Sequence, residues 1–339
     1  MQRLFTWIGL ALVMASVGCG GKGDAATGAA ASASAAAAPA ANPSRAKAPS
    51  TVNTAALPAG VAPTALVAGA PLKVGVTLHP YYSWTKNVVG DALNVEVRAI
   101  LPGDIDAGDY QPRPDDIAKI GGLNALVVNG IGHDDFIGDM IRSSGNANLV
   151  IVRTNAATPT VKSAHGDAPN SHTFLSFTNA VQQSYLIAKT LGQIRPDVAD
   201  VFQKNAEAYA TRLRAIKARG AEQLAHAKVK RVVTVHDGYA YLCQEFGLEV
   251  AGVVQPAHGL VPSAAELAAM TDLLKREHIQ VVLTEESFPA KLLDVLKKEV
   301  PVRVYVVSHV ASGAFTADKF EVDMKQNVDT LVKALVTDG

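Results

Sequence analysis

The sequence predicts an α/β protein of two lobes, each a mostly parallel sheet flanked by helices, joined by one long backbone helix with a cleft between the lobes. Three observations carry this. Short apolar runs alternate with helix-like patterns from Leu72 onward, which implies parallel βαβ units and a sheet covered on both faces. The same alternation begins again at Arg231. Between the two series, Val198, Val201, Phe202, Tyr209, Leu213 and Ile216 fall close to helical spacing.

In order, the first half reads as strand 72–78, helix 81–89, strand 95–101, helix 114–120, strand 125–128, helix 136–141 and strand 149–152. Pro114 followed by Asp115 and Asp116 is the composition of a helix first turn. The middle stretch, 196 to about 225, makes a helix of roughly 45 Å, enough to run the height of both lobes. The second half reads as strand 231–235, helix 239–245, strand 248–253, helix 264–276, strand 281–284, helix 290–298, strand 302–307 and helix 318–335.

In open α/β sheets, ligands sit beyond the carboxyl ends of the strands. His79 and His133 follow strands of the first half; His236, Glu285, Glu286 and His309 follow strands of the second. His172, in Asn170-Ser171-His172-Thr173-Phe174-Leu175, stands before the helical middle. His172 and His236 place one imidazole in each half, and neutral imidazole is the commonest metal ligand among side chains. Two lobes that each present one can close on a single ion. Every candidate also has a structural reading: backbone capping for His172, a bond to Asp237 or a carbonyl for His236, a surface loop for His309. His133 reads equally as a first-turn helix residue, His79 as packing beside Pro80, and Glu285 and Glu286 as charge compensation at a helix N-terminus.

Composition bounds the rest. The 339 residues carry no net charge, which argues against a nucleic-acid surface. Arg3 and the apolar Leu4–Val17 form an export signal too short for an ordinary membrane span. Gly18-Cys19 resembles a lipoprotein processing site, with Ser16 where such sites usually have Leu; Cys19 would become the acylated terminus. Residues 20–70 are Ala-rich with Gly, Ser and Pro, the composition of a disordered tether. The expected divisions are a signal over 1–19, the tether over 20–70, lobes at 71–177 and 228–339, and a helical linker at 178–227. Cys243 is the one other cysteine, so no disulfide forms within the folded part; its surroundings suit a buried helix position.

Several segments together resemble the zinc/manganese-type (cluster A-I) solute-binding proteins of metal ABC transporters. Gly108-Asp109-Tyr110-Gln111-Pro112-Arg113-Pro114 is similar to the family's His-x-Tyr-(Glu/Gln)-Pro-x-Pro segment. Val128-Asn129-Gly130 resembles its Asn-Gly turn, and Ser171-His172-Thr173-Phe174-Leu175 its His-x-Trp-Leu segment. Val235-His236-Asp237, Pro262-Ser263-x-x-Glu266-Leu267 and Asn327-x-Asp329-Thr330-Leu331 are similar to further signatures. The resemblance implies two α/β lobes, a rigid joining helix, three His ligands with a carboxylate or water, and delivery of the ion to a membrane permease. The chain departs from the pattern twice: Gly108 stands in place of the first family His, and His309 in place of the family Asp. The zinc-uptake-like ligand set is then His133, His172, His236 and His309, with His79 and Glu286 in reserve. His133 or His79 would compensate for Gly108.

Imidazoles without thiolate suit Zn²⁺, then Cu²⁺ or Ni²⁺; Mn²⁺ prefers more oxygen. Such a site weakens below about pH 6 as imidazoles protonate. The reading is a monomeric, lipid-anchored binding protein, periplasmic or on the outer cell surface, with an ABC permease as partner and the membrane touched through the anchor alone. No catalytic residue is assigned. One alternative is the same fold holding a chelated metal or small organic ligand over Tyr81, Tyr82, Trp84 and Tyr110. Another is a zinc hydrolase with Glu286 as base, for which no His-Glu-x-x-His motif is present.

Overall fold

The computed structural model describes residues 57–103, 110–255 and 260–339. Cys19, the signal segment and Gly108 lie outside the described residues.

Two four-stranded parallel sheets share one strand order. In the first, β1 (Leu72–Val76), β2 (Val95–Ala99), β3 (Ala125–Val128) and β4 (Val150–Arg153) run β2-β1-β3-β4. In the second, β5 (Arg231–Thr234), β6 (Glu249–Val253), β7 (Val281–Thr284) and β8 (Arg303–Val306) run β6-β5-β7-β8. Each is the doubly wound order that opens a ligand crevice at the carboxyl ends. Helices α1 (His79–Val89), α2 (Pro114–Gly121) and α3 (Ile137–Ser144) accompany the first sheet. Helices α6 (Ala240–Glu245), α7 (Ala264–Arg276), α8 (Ala290–Glu299) and α9 (Lys319–Val332) accompany the second.

Between the sheets the chain forms two helices packed on each other, α4 (Phe177–Ile194) and α5 (Ala199–Leu224). The break falls at Arg195, whose backbone leaves the helical region (φ −125°, ψ 77°) before Pro196, as a residue preceding proline tends to do. The helix expected from Pro196 therefore begins as a short 3₁₀ turn and becomes α-helical at Ala199. α5, about 39 Å long, buries Phe202, Ala206, Tyr209, Ala210 and Leu213, while Val201 of the expected stripe is exposed. It packs against α1 and α9, so one helix touches elements that follow both sheets.

The sequence signatures have local physical roles. Ser263 and Glu266 form a capping box that starts α7. Pro114 opens α2, and Asp116 in its first turn accepts from the Tyr110 hydroxyl and pairs with Lys119. Asn327, fully buried in α9, accepts from the Ser308 amide at 2.7 Å and donates to the Ser308 carbonyl at 2.9 Å.

Alternation along the second sheet sorts the core. Val232, Val281 and Leu283 join a large cluster with the first sheet, α4, α5 and α9. Val233 and Val282 point the other way into a smaller cluster with Leu274 of α7 and Leu296 of α8. Cys243 is fully buried, and burial pushes its thiol up to about 12. Part of the stretch expected as a tether, residues 57–66, packs on the fold. Leu57 and Leu66 pack on the core, and the Val61 and Leu66 amides donate to the Leu149 and Ile194 carbonyls.

Candidate metal centre

The strand ends and the turn before α4 bring four imidazoles together. His172, His236 and His309 form a group whose candidate ligand atoms all lie within 4.8 Å of one another. Ring centroids are 4.7 Å apart for His172 and His236, 4.6 Å for His236 and His309, and 5.0 Å for His172 and His309. His133 abuts this group, edge-on to His172 at 4.8 Å and 5.9 Å from His309. His133, His172 and His236 are buried and His309 is partly so.

Each ring is held by its own local device. His133 sits in a tight loop after β3 that is closed by Asp134. This fully buried carboxylate accepts from the Thr77 hydroxyl (2.6 Å) and from the amides of Asn129 (2.7 Å) and Gly130 (2.9 Å). Burial pushes the Asp134 pKa up, outweighing those bonds. Gly130 takes the positive φ (74°) the loop needs. The Asn129 side-chain Nδ2 donates to the Tyr81 hydroxyl and the Ser171 carbonyl, tying this loop to the His172 segment.

His172 opens the 3₁₀ turn Thr173–Leu175 that leads into α4. Its Nδ1 lies 2.9 Å from Asn170 Oδ1, which also accepts from the His172 amide. Because Asn170 Nδ2 donates to the Asp237 carbonyl (2.9 Å), Oδ1 faces the ring and Nδ1–H is the donor. Nε2 then carries the lone pair. The partner on the other nitrogen fixes the tautomer, as it does for ligating His in general. The same Asn170 thus holds His172 and the turn that carries His236.

His236 leaves β5 in extended conformation, and the Gly238 amide donates to its Nδ1 at 2.8 Å. In the neutral ring the proton then sits on Nε2, the opposite tautomer to His172. Gly238 is also the spacer of the cluster. A Cβ there would lie 2.8 Å from His236 Nδ1, 3.0 Å from His172 Cδ2 and 3.0 Å from His309 Nε2. Ser308, bonded to Asn327 and Asp323, fixes the start of the loop that carries His309.

Two reserve residues go elsewhere. His79 begins α1 with its Nε2 2.9 Å from the Gly313 carbonyl and its ring stacked on Phe315. Glu286 is exposed on the β7–α8 loop and, with Glu285, is absent from the group formed among the described residues. Tyr81, Trp84 and Tyr110 are core side chains rather than a floor for a ligand, and Tyr82 packs against that core. His165 is exposed on a loop whose Ser163 hydroxyl and Ala164 amide bond Asp237. Asn170 and Gly238 were not legible as site residues. The one signal was position, each two residues from a candidate His.

Two doubly wound sheets with imidazoles gathered at their carboxyl ends define a two-lobed binding protein with a candidate metal centre. The chain belongs to the ZnuA family, zinc-uptake complex component A periplasmic, whose model matches residues 74–334. Among solved structures, the Ni²⁺ complex of the SBP FpvC from Pseudomonas aeruginosa is 40% identical, with a TM-score of 0.74 over 79% of this chain and 98% of that one. FpvC with Mn²⁺ gives a TM-score of 0.75 at 40% identity, over 79% and 99% of the two chains. The high-affinity zinc uptake system protein ZnuA of Bacillus subtilis is 25% identical over 289 residues, 79% of this chain and 89% of that protein. The zinc-binding lipoprotein AdcA of Streptococcus pneumoniae is 27% identical over 254 residues, 71% of this chain. The match spans about half of AdcA (50%).

Proposed function

We propose that this chain is the extracytoplasmic binding component of an ABC metal importer, which captures a divalent transition metal between its lobes and passes it to a permease. The observation that carries the reading is the convergence of His172, His236 and His309, delivered from three separate elements, to within 4.8 Å of one another. His133 completes a neutral set of four imidazoles. Zn²⁺ is the proposed cargo. Four neutral nitrogen donors suit a closed tetrahedral site, and the named zinc-uptake relatives support it. The Ni²⁺ and Mn²⁺ complexes of FpvC make those ions the competitors to test. Whichever nitrogen His236 offers, capture displaces its bond from the Gly238 amide.

The proposed organisation places the lobes at 71–177 and 228–339 with the linker at 178–227, and holds a monomer to the membrane through acylated Cys19. Among the described residues, no helix is long and apolar enough to cross a membrane.

Calorimetric titration of the chelator-stripped chain tests the cargo. Zn²⁺ should bind one to one with proton release, and a variant carrying His172→Ala and His236→Ala should lose that binding. Parental affinity in the double variant overturns the assignment. Uptake of a metal chelate but not the free ion would move the site to the chelate-binding alternative.

A further inference from the structure

The loop that carries His309 belongs to the second lobe but lies against the first. Several contacts hold it there, among them an edge-on packing of Phe315 against Tyr82 at 5.5 Å. The His79 ring stacks face to face on Phe315, with centroids 3.8 Å apart and planes 2° from parallel. His79 Nε2–H donates to the Gly313 carbonyl at 2.9 Å. The Ser83 hydroxyl and Asn87 Nδ2 donate to the Ala317 carbonyl at 2.6 and 2.7 Å. A further contact comes from the loop after β2. The Gly313 amide donates to the Gly103 carbonyl, and a Cβ on Gly103 would lie 2.3 Å from the Gly313 oxygen.

The other end of the loop is fixed within its own lobe, through Ser308 on Asn327 and Asp323. Between the two anchors stands Val310, at φ 59° and only 1% exposed. A β-branched residue in the left-handed region persists only where its surroundings over-determine it. His309 therefore sits in a span held from both sides, and one of those sides is α1.

We propose that His79 and Phe315 are positioning residues: the first lobe clasps the loop that presents His309, and the clasp sets how fast the ion leaves. This rests on the reading of His309 as a ligand. His79 thus serves the centre without ligating. Parting the lobes must break the stack and withdraw the loop in the same movement.

The test uses the full chain loaded with Zn²⁺ and a chromophoric chelator that traps released ion. Phe315→Ala and His79→Ala should each speed release by about 10-fold or more, within the range for outer partners of metal ligands. The double variant should fall short of the product of the two, because both remove one stack. Phe315→Tyr, which keeps the stack, should restore parental release, and one-to-one stoichiometry should hold throughout. Unchanged release from chains that still bind Zn²⁺ one to one overturns the clasp and leaves the metal reading intact. If the parent binds no Zn²⁺, the metal reading fails, and amide hydrogen exchange of the metal-free chain decides the clasp. Faster exchange over 311–317 in Phe315→Ala supports it, and unchanged exchange rejects it.

Discussion

The two sheets have the same strand order, yet they fix their imidazoles differently. The first uses buried polar networks. Asp134 gathers Thr77, Asn129 and Gly130 beneath His133, and Asn155 accepts from Thr173 and Gln183 beside the His172 turn. The second presents His236 immediately beyond β5 and His309 after β8, steadied by Gly238, Asn327 and contacts reaching across from α1. One topology therefore supports two solutions: a preformed polar cradle and a loop borrowed against the neighbouring lobe. The cores differ in the same sense. The first sheet shares the large cluster, while the far face of the second rests on the smaller one with α7 and α8.

The largest effect is expected from Gly238→Ala. The added methyl has no free space among three imidazoles, so metal affinity should fall by about 100-fold or more, beyond the usual cost of losing one outer contact. Calorimetry reads this directly, and near-parental affinity would show that the rings can spread without loss.

Leu296→Ala separates core from site. Leu296 is fully buried in the smaller cluster, so truncation should cost about 2–5 kcal/mol in urea unfolding. Metal affinity of the folded fraction should stay within about 2-fold of the parent if the far face of the second sheet is only a support. A parallel drop in affinity would merge the two regions.

Asn170→Ala removes the side chain that bridges His172 and the His236 turn. Affinity should weaken by about 10–100-fold. Asn170→Asp keeps the acceptor for Nδ1–H and should recover part of the loss.

The smallest effect is expected at Glu245, which reaches from α6 to the start of α4. Its carboxylate accepts from the Thr178 amide and the Ser176 hydroxyl and pairs with Lys217 at 2.5 Å. Burial works to raise its pKa, but Lys217, Ser176 and Thr178 together prevail and hold it below the ordinary value of 4.5. A depressed carboxylate contributes stability above the unfolded value and loses it as pH falls through the folded one. Glu245→Gln should cost about 1 kcal/mol at pH 7, and its unfolding curve should converge with the parent's in acid below pH 4.5.

Much of this architecture was legible because β-type runs and helix patterns were well separated. Strands 125–128 and 281–284 and helix 264–276 match the observed elements residue for residue. α4 was harder to delimit. Its buried face mixes Asn179, Gln183 and Ser184 with Ala180, Ile187 and Leu191, so the apolar period is blurred. Three of the imidazoles could be placed by rule, because they follow parallel strands. That rule cannot separate a ligand from a packing residue. His79 satisfies it as well as His133 does, and its partners Gly313 and Phe315 stand in the opposite half of the chain. Gly238 reads in sequence only as a turn residue, since its crowding by three rings exists in space alone.

The segment from Leu57 to Leu66 has a mechanical consequence. Its amides at Val61 and Leu66 are bonded to Leu149 and Ile194, and the Arg153 guanidinium donates to the Pro58 carbonyl. The chain thus enters the fold along β4 and the end of α4. Any pull transmitted from upstream would be borne by the first sheet. Among the described residues, the attachments of this segment fall on the first sheet and the end of α4, at Leu149, Arg153 and Ile194.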